Sequence, residues 1–183
     1  MSDFNQMYLS ALHNVTWVDP SEFTFANEQQ KQWLLAQDSL SRRLESCCQS
    51  LTVSLLENET VAASTLNTQE LSLVGSIDCL RRQVILHGDD SPWVFGRTLI
   101  PTSSLIDQKY DLARQGNIPL GLTVFSVKNT RRDALQVGSI ETAVGRLLAR
   151  RSRLWMNEKP MLVAELFLPL SPVYTVESID DNE

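Results

Sequence analysis

The sequence is poor in the side chains from which most catalytic centres are built. Among 183 residues there are two histidines, His13 and His87, and three cysteines, Cys47, Cys48 and Cys79. No histidine pair stands at metal-ligand spacing, so a dedicated zinc site is not expected. A Ser-His-Asp or Cys-His arrangement would have to use one of these two rings. His87 closes an expected strand beside a turn, where a solvated polar residue is the plainer reading. An odd cysteine count, with two adjacent, provides neither a disulfide framework nor a C-x-x-C metal knuckle. Three free, buried thiols in a reducing compartment are the expectation. Neither G-x-G-x-x-G nor G-x-x-x-x-G-K-[ST] occurs, so the usual nucleotide-phosphate cradles are missing. An enzyme of this composition is expected to need neither metal nor nucleotide cofactor.

Basic residues are scarce where a leader would carry them. The first is Lys31, which argues against a secretory signal or a mitochondrial transit peptide and for the cytoplasm. No apolar run approaches the ~18–20 residues of a membrane span. The net charge of −6 argues against a general affinity for nucleic acid or anionic membrane.

What remains is an ordinary globular composition, 43% hydrophobic and 21% charged, of a length suited to one domain. Asn27 is placed to cap a helix running to about Ser46, with Trp33, Ala36, Leu40, Leu44 and Cys47 on one face. Leu51–Glu57 alternates as a strand. Residues 58–76 read as irregular with short local structure. Leu80–His87 and Trp93–Ile100 flank the turn cluster 88–92 as an antiparallel hairpin. Thr102 and Ser103 suggest a short helix through Leu112. Leu120–Lys128 is strand-like, Arg131–Gln136 a further strand, and 138–145 ambiguous. Leu147–Met156 pairs naturally with Met161–Leu168. Antiparallel strands interrupted by a few helices predict a single α+β domain over residues 1–174, followed by an acidic, frayed tail, 175–183. No heptad seam suggests self-association, so a monomer is expected.

Three charges stand on apolar strand faces. Arg82 shares a face with Leu80, Val84 and Leu86. Arg97 shares one with Trp93, Phe95 and Leu99. Glu165 is the sole charge in the run Met161–Leu168. A buried charge without a partner is costly. A plain Arg–Glu pair or a snorkelling Arg stem would account for the pattern. So would an apolar cavity with two guanidiniums and one carboxyl, suited to a small, partly apolar anion. Arg146, Arg150, Arg151 and Arg153, beside Arg131 and Arg132, form a basic stretch. It reads as solvated surface, some of which would line an anion's entry path.

The ordered motifs Trp33-Leu34-Leu35 and Asp38-Ser39-Leu40, Arg82 followed by Pro92-Trp93 and Gly96-Arg97-Thr98, Pro119-Leu120-Gly121, Arg151-Ser152-Arg153 and Leu162–Tyr174 resemble the bacterial chorismate pyruvate-lyase family. The resemblance runs from about Trp33 to Tyr174. It implies a cofactor-free cytoplasmic lyase that converts chorismate to 4-hydroxybenzoate and pyruvate at the entry to ubiquinone synthesis. It also implies an antiparallel sheet flanked by helices, with an internal ligand cavity under helical flaps. The family's substrate-binding positions fall on Leu40, Arg82, Leu120 and Glu165, with Leu40 where the family commonly has methionine. Arg82, Arg97 and Glu165 are the expected catalytic set, with Arg97 near the enolpyruvyl group. Competing expectations are a non-catalytic aromatic-acid sensor of the same fold and an interaction module using the basic stretch. Residues 1–26 are too few for the DNA-binding domain that regulators of this fold carry.

Overall fold

The computed structural model describes residues 2–175; the expected tail, apart from Thr175, lies outside them. Six strands form one antiparallel sheet: β1 (Leu51–Val61), β2 (Cys79–Gly88), β3 (Ser91–Pro101), β4 (Thr130–Thr142), β5 (Gly145–Met156) and β6 (Lys159–Phe167). The order across the sheet is β1-β2-β3-β6-β5-β4. β1 and β2, β2 and β3, β4 and β5, and β5 and β6 pair as neighbours in sequence, while β3 and β4 do not pair and β3 instead meets β6 at the centre. The α+β class expected from the sequence is what the chain adopts.

Helices cover both faces of the sheet. On one face lie α1 (Asp3–His13) and α4 (Thr68–Val74). There Tyr8, Ala11 and Leu12 pack on Ile85, Phe95 and Leu166, and Val74 on Leu99 and Leu162. On the other face lie α2 (Glu28–Leu35), α3 (Leu40–Glu45) and α5 (Leu120–Val124). Trp33, Leu34 and Leu44 meet Leu86, Val94 and Phe167, while Val124 meets Ile100, Leu154 and Met161. The central strands are therefore buried from both sides, and β3 reads as an almost unbroken buried run.

Asn27 caps as expected: its Oδ1 accepts from Gln30 N–H at 2.8 Å. The helix it starts does not reach Ser46. Ala36 leaves the helical region, and Ser39 restarts the chain as a new cap, accepting from Arg42 N–H. The break has a chemical partner. The carbonyls of Trp33 and Ala36 accept from Arg150 Nη1 at 3.3 and 3.1 Å. Four other expectations change. Leu120–Val124 is helical rather than extended, with Leu120 and Val124 packing on the cluster under it. The helix expected through Leu112 shrinks to a 3₁₀ turn over Thr102–Leu105. The irregular stretch 58–76 contains the end of β1 and the capped helix α4. Of the thiols only Cys79 is buried; Cys47 is exposed and Cys48 half-buried.

Candidate active site

Beneath α3 and α5, against the sheet, lies a cavity that is partly open to solvent. Its floor comes from β2, β3, β6, β5 and β4, and its roof from Leu40, Ser41 and the segment 119–125. The walls are mainly aliphatic: Val53, Val84, Leu86, Val94, Val163 and Leu154. Into this apolar space project Arg82, Arg132 and Glu165.

Cross-strand register decides who faces the cavity. Arg82 is opposite Thr98, Val84 opposite Gly96, Gly96 opposite Glu165 and Glu165 opposite Arg150. Opposed residues share a face, so Arg82, Glu165 and Arg150 lie on one side of the sheet. Gly96, at the centre of the floor, carries no side chain to fill the space above it.

Arg82 is 2% exposed. Its Nη2 donates to Ile118 O at 3.1 Å, and its Nη1 has no hydrogen-bond partner among the described residues. Burial pushes its pKa down, though a guanidinium remains charged at neutral pH. A buried guanidinium N–H without a protein acceptor is a donor that suits an anion's oxygen. Glu165 is paired: Arg150, fully buried, donates Nε to its Oε2 at 2.8 Å and Nη2 to its Oε1 at 3.4 Å. The same guanidinium thus holds Glu165 and the α2 C-terminus. Arg132, from β4, donates Nη1 to Ser152 Oγ and Nη2 to Asp38 O, while its buried Nε has no partner. Burial first, and then the charge of Arg150, bring its pKa down to about 10, against the raising effects of Glu165 and Asp38.

Four expected positions are brought together here: Leu40, Arg82, Leu120 and Glu165 all line the cavity. Leu40 and Leu120 are the first residues of α3 and α5. Main-chain N–H groups in a first helical turn have no intrahelical acceptor.

Arg97 is not among them, which corrects the expectation of one cavity with Arg82 and Arg97 together. Arg97 lies opposite Gln83, on the reverse face, ion-paired to Glu70 of α4 and lining a separate polar pocket with His13 and Arg151. The cause is a bulge. The turn register matches Gly88 with Ser91 and His87 with Pro92, which would bring Arg82 opposite Arg97. One extra residue, Trp93, then intervenes before Leu86 matches Val94. A one-residue slip turns every later side chain to the other face. Gly88 makes room for it, since a Cβ there would lie 2.1 Å from the Trp93 ring.

In the sequence Arg150 and Arg132 stand out only as members of a basic stretch. The signal for Arg150 was its place across from Glu165 in the β5/β6 hairpin.

Residues 11–179 match the family described as chorismate lyase. The chain belongs to that family. It is 58% identical over 98% of its length to the protein named "Probable chorismate pyruvate-lyase" of Vibrio parahaemolyticus, all of which is covered. It is 40% identical to the chorismate pyruvate-lyase of Pectobacterium carotovorum, over 80% of each chain. In fold it is similar to the ligand-binding domain of a regulator assigned to the GntR family from Bordetella bronchiseptica. That match has a TM-score of 0.51 at 15% identity, covering 67% of this chain and 86% of the other. Such a likeness bears on fold alone.

Proposed function

We propose that this cavity is where the chain removes the enolpyruvyl group of chorismate, giving 4-hydroxybenzoate and pyruvate, the entry step of ubiquinone synthesis. The observation that carries the reading is the unpartnered Nη1 of buried Arg82. It faces an apolar space whose floor also carries Glu165. An aromatic acid with a para hydroxyl has the matching order of groups: carboxylate, flat apolar ring, donor.

In the proposed complex Arg82 binds the ring carboxylate, joined by main-chain N–H groups at Leu40 and Leu120. A main-chain contact makes leucine in place of the family's methionine at residue 40 harmless. Glu165, with lone pairs beyond those given to Arg150, accepts from the ring hydroxyl. The reaction breaks the bond between the ring and the ether oxygen and removes the hydrogen from the hydroxyl-bearing carbon. The ring becomes aromatic, and the departing enol becomes pyruvate. No net oxidation occurs, so the step calls for no redox partner. The chain's task is to hold the reacting geometry and stabilise negative charge on the leaving oxygen. A monomeric enzyme is part of the proposal, and no helix of the described residues is long and apolar enough to cross a membrane. A cytoplasmic location is part of the same proposal.

Arg82→Met tests the assignment. Losing a buried partner of a charged hydrogen bond costs about 2–5 kcal/mol, so 4-hydroxybenzoate should bind at least roughly 30-fold more weakly by isothermal titration. Undiminished affinity in a folded variant would remove Arg82 from the site.

A further inference from the structure

Arg132 leaves the cavity with a second unsatisfied guanidinium donor, and it is not at the same end as the first. In the sheet, β2 and β4 are separated by β3, β6 and β5. That is four steps of about 4.8 Å, or roughly 19 Å between the strands that carry Arg82 and Arg132. Both side chains reach inward from opposite ends, and Glu165 on β6 stands between them. The surroundings differ accordingly. Arg82 is perturbed by burial alone, whereas Arg132 feels the charges of Arg150, Glu165 and Asp38. Its two terminal nitrogens are fixed by Ser152 and by the Asp38 carbonyl in the α2–α3 connection. Only Nε is left open, and it is buried.

We propose that Arg132 binds the second carboxylate of the substrate and so distinguishes the diacid from its monoacid product. The inference rests on the function proposed above. With the ring carboxylate on Arg82 and the ring hydroxyl on Glu165, the enolpyruvyl ether occupies the ring carbon next to the hydroxyl. Its carboxylate therefore lies at the Glu165 end, where the open Nε of Arg132 is the unsatisfied cationic donor. The product lacks that carboxylate and leaves Arg132 as it found it. Because Arg132 also holds the Asp38 carbonyl, the same guanidinium links the occupied acid to the segment leading into α3.

The test compares two ligands on wild-type protein, Arg132→Met and Arg132→Lys. One is 4-hydroxybenzoate; the other is 3-carboxymethoxy-4-hydroxybenzoate, which adds an ether-linked carboxylate beside the hydroxyl. Titration calorimetry should show Arg132→Met binding the diacid roughly 10- to 100-fold more weakly, and the monoacid within about threefold of wild type. The kcat/KM for chorismate should fall with the diacid affinity, and Arg132→Lys, which keeps a charge on a flexible stem, should lie between. The lysine variant carries the comparison if the methionine variant does not fold. Equal losses for both ligands, no loss for either, or a wild-type protein that binds only the monoacid would overturn the inference. A wild-type protein that neither binds 4-hydroxybenzoate nor releases pyruvate would instead overturn the function on which it rests.

Discussion

Arg150 is an expensive residue to bury, and its partners show why it is tolerated. It is wholly enclosed, holds Glu165 through two nitrogens and satisfies two carbonyls where α2 ends. Removing one side of such a pair strands the other charge in the interior, at a cost of about 3–5 kcal/mol. Arg150→Met is therefore expected to lower unfolding free energy by that order in urea titrations. The double change Arg150→Met with Glu165→Leu should recover much of the stability, since an apolar pair can replace a buried ionic one, yet still fail to bind 4-hydroxybenzoate. A double variant as unstable as the single one would mean that the ion pair is not what the single change disturbs. Arg82 and Glu165 were legible in the sequence because a charge on an aliphatic strand face needs a partner. Arg97 met the same criterion and belongs elsewhere. The sheet is covered on both sides, so an apolar face identifies burial without saying which side is buried. The register that separates Arg97 from Arg82 depends on one inserted residue, Trp93, which face-by-face alternation does not record.

The elements that roof the cavity are short and depend on close approach. At Gly121, the second residue of α5, an added Cβ would lie 2.9 Å from Ser41 Oγ and 3.1 Å from Ser39 Oγ of the α3 start. Gly121→Ala should push α5 and α3 apart, an overpacking cost of roughly 1–3 kcal/mol. It should weaken 4-hydroxybenzoate binding about tenfold by calorimetry while leaving the sheet folded by circular dichroism. Unchanged affinity would show that the two helices do not hold the ligand in. On β4, the bulge after Asp133 sets Arg132 toward the cavity. Asp133 anchors this stretch, accepting from Arg153 Nε and Nη2 at 2.8 Å each. Those hydrogen bonds are the main reason its carboxyl titrates below its ordinary value of 3.8, against the opposing effect of burial. A depressed folded-state pKa adds stability above the unfolded value that is lost as pH falls through the folded one. Asp133→Asn should therefore flatten the loss of thermal stability below about pH 4; an unaltered acid limb would place that loss on other carboxyls. The boundary between α2 and α3 was not readable from spacing, because Trp33, Ala36, Leu40 and Leu44 keep a helical period across the break. The long-range bonds to Arg150 interrupt it. Leu120–Val124 misled in the opposite sense: five apolar-rich residues fit either period, and packing on Ile100 and Met161 decides for the helix.

For the molecule as a whole, a net charge of −6 first looks unsuited to a substrate with two carboxylates. The charge that matters is local. Arg82 and Arg132 place unsatisfied donors in an apolar cavity, while the cavity carboxyl, Glu165, is neutralised by Arg150. Overall charge excludes bulk polyanions and says little about a small enclosed one. The fold resembles a ligand-binding domain of a transcription regulator, so architecture alone does not separate catalysis from sensing. Pyruvate does. Purified protein incubated with chorismate, without added metal or nucleotide and in the presence of a chelator, should release pyruvate and 4-hydroxybenzoate in equal amounts, and Arg82→Met should lose most of that activity. A folded protein that binds 4-hydroxybenzoate yet releases no pyruvate above the uncatalysed rate would contradict the account and leave a sensor in its place.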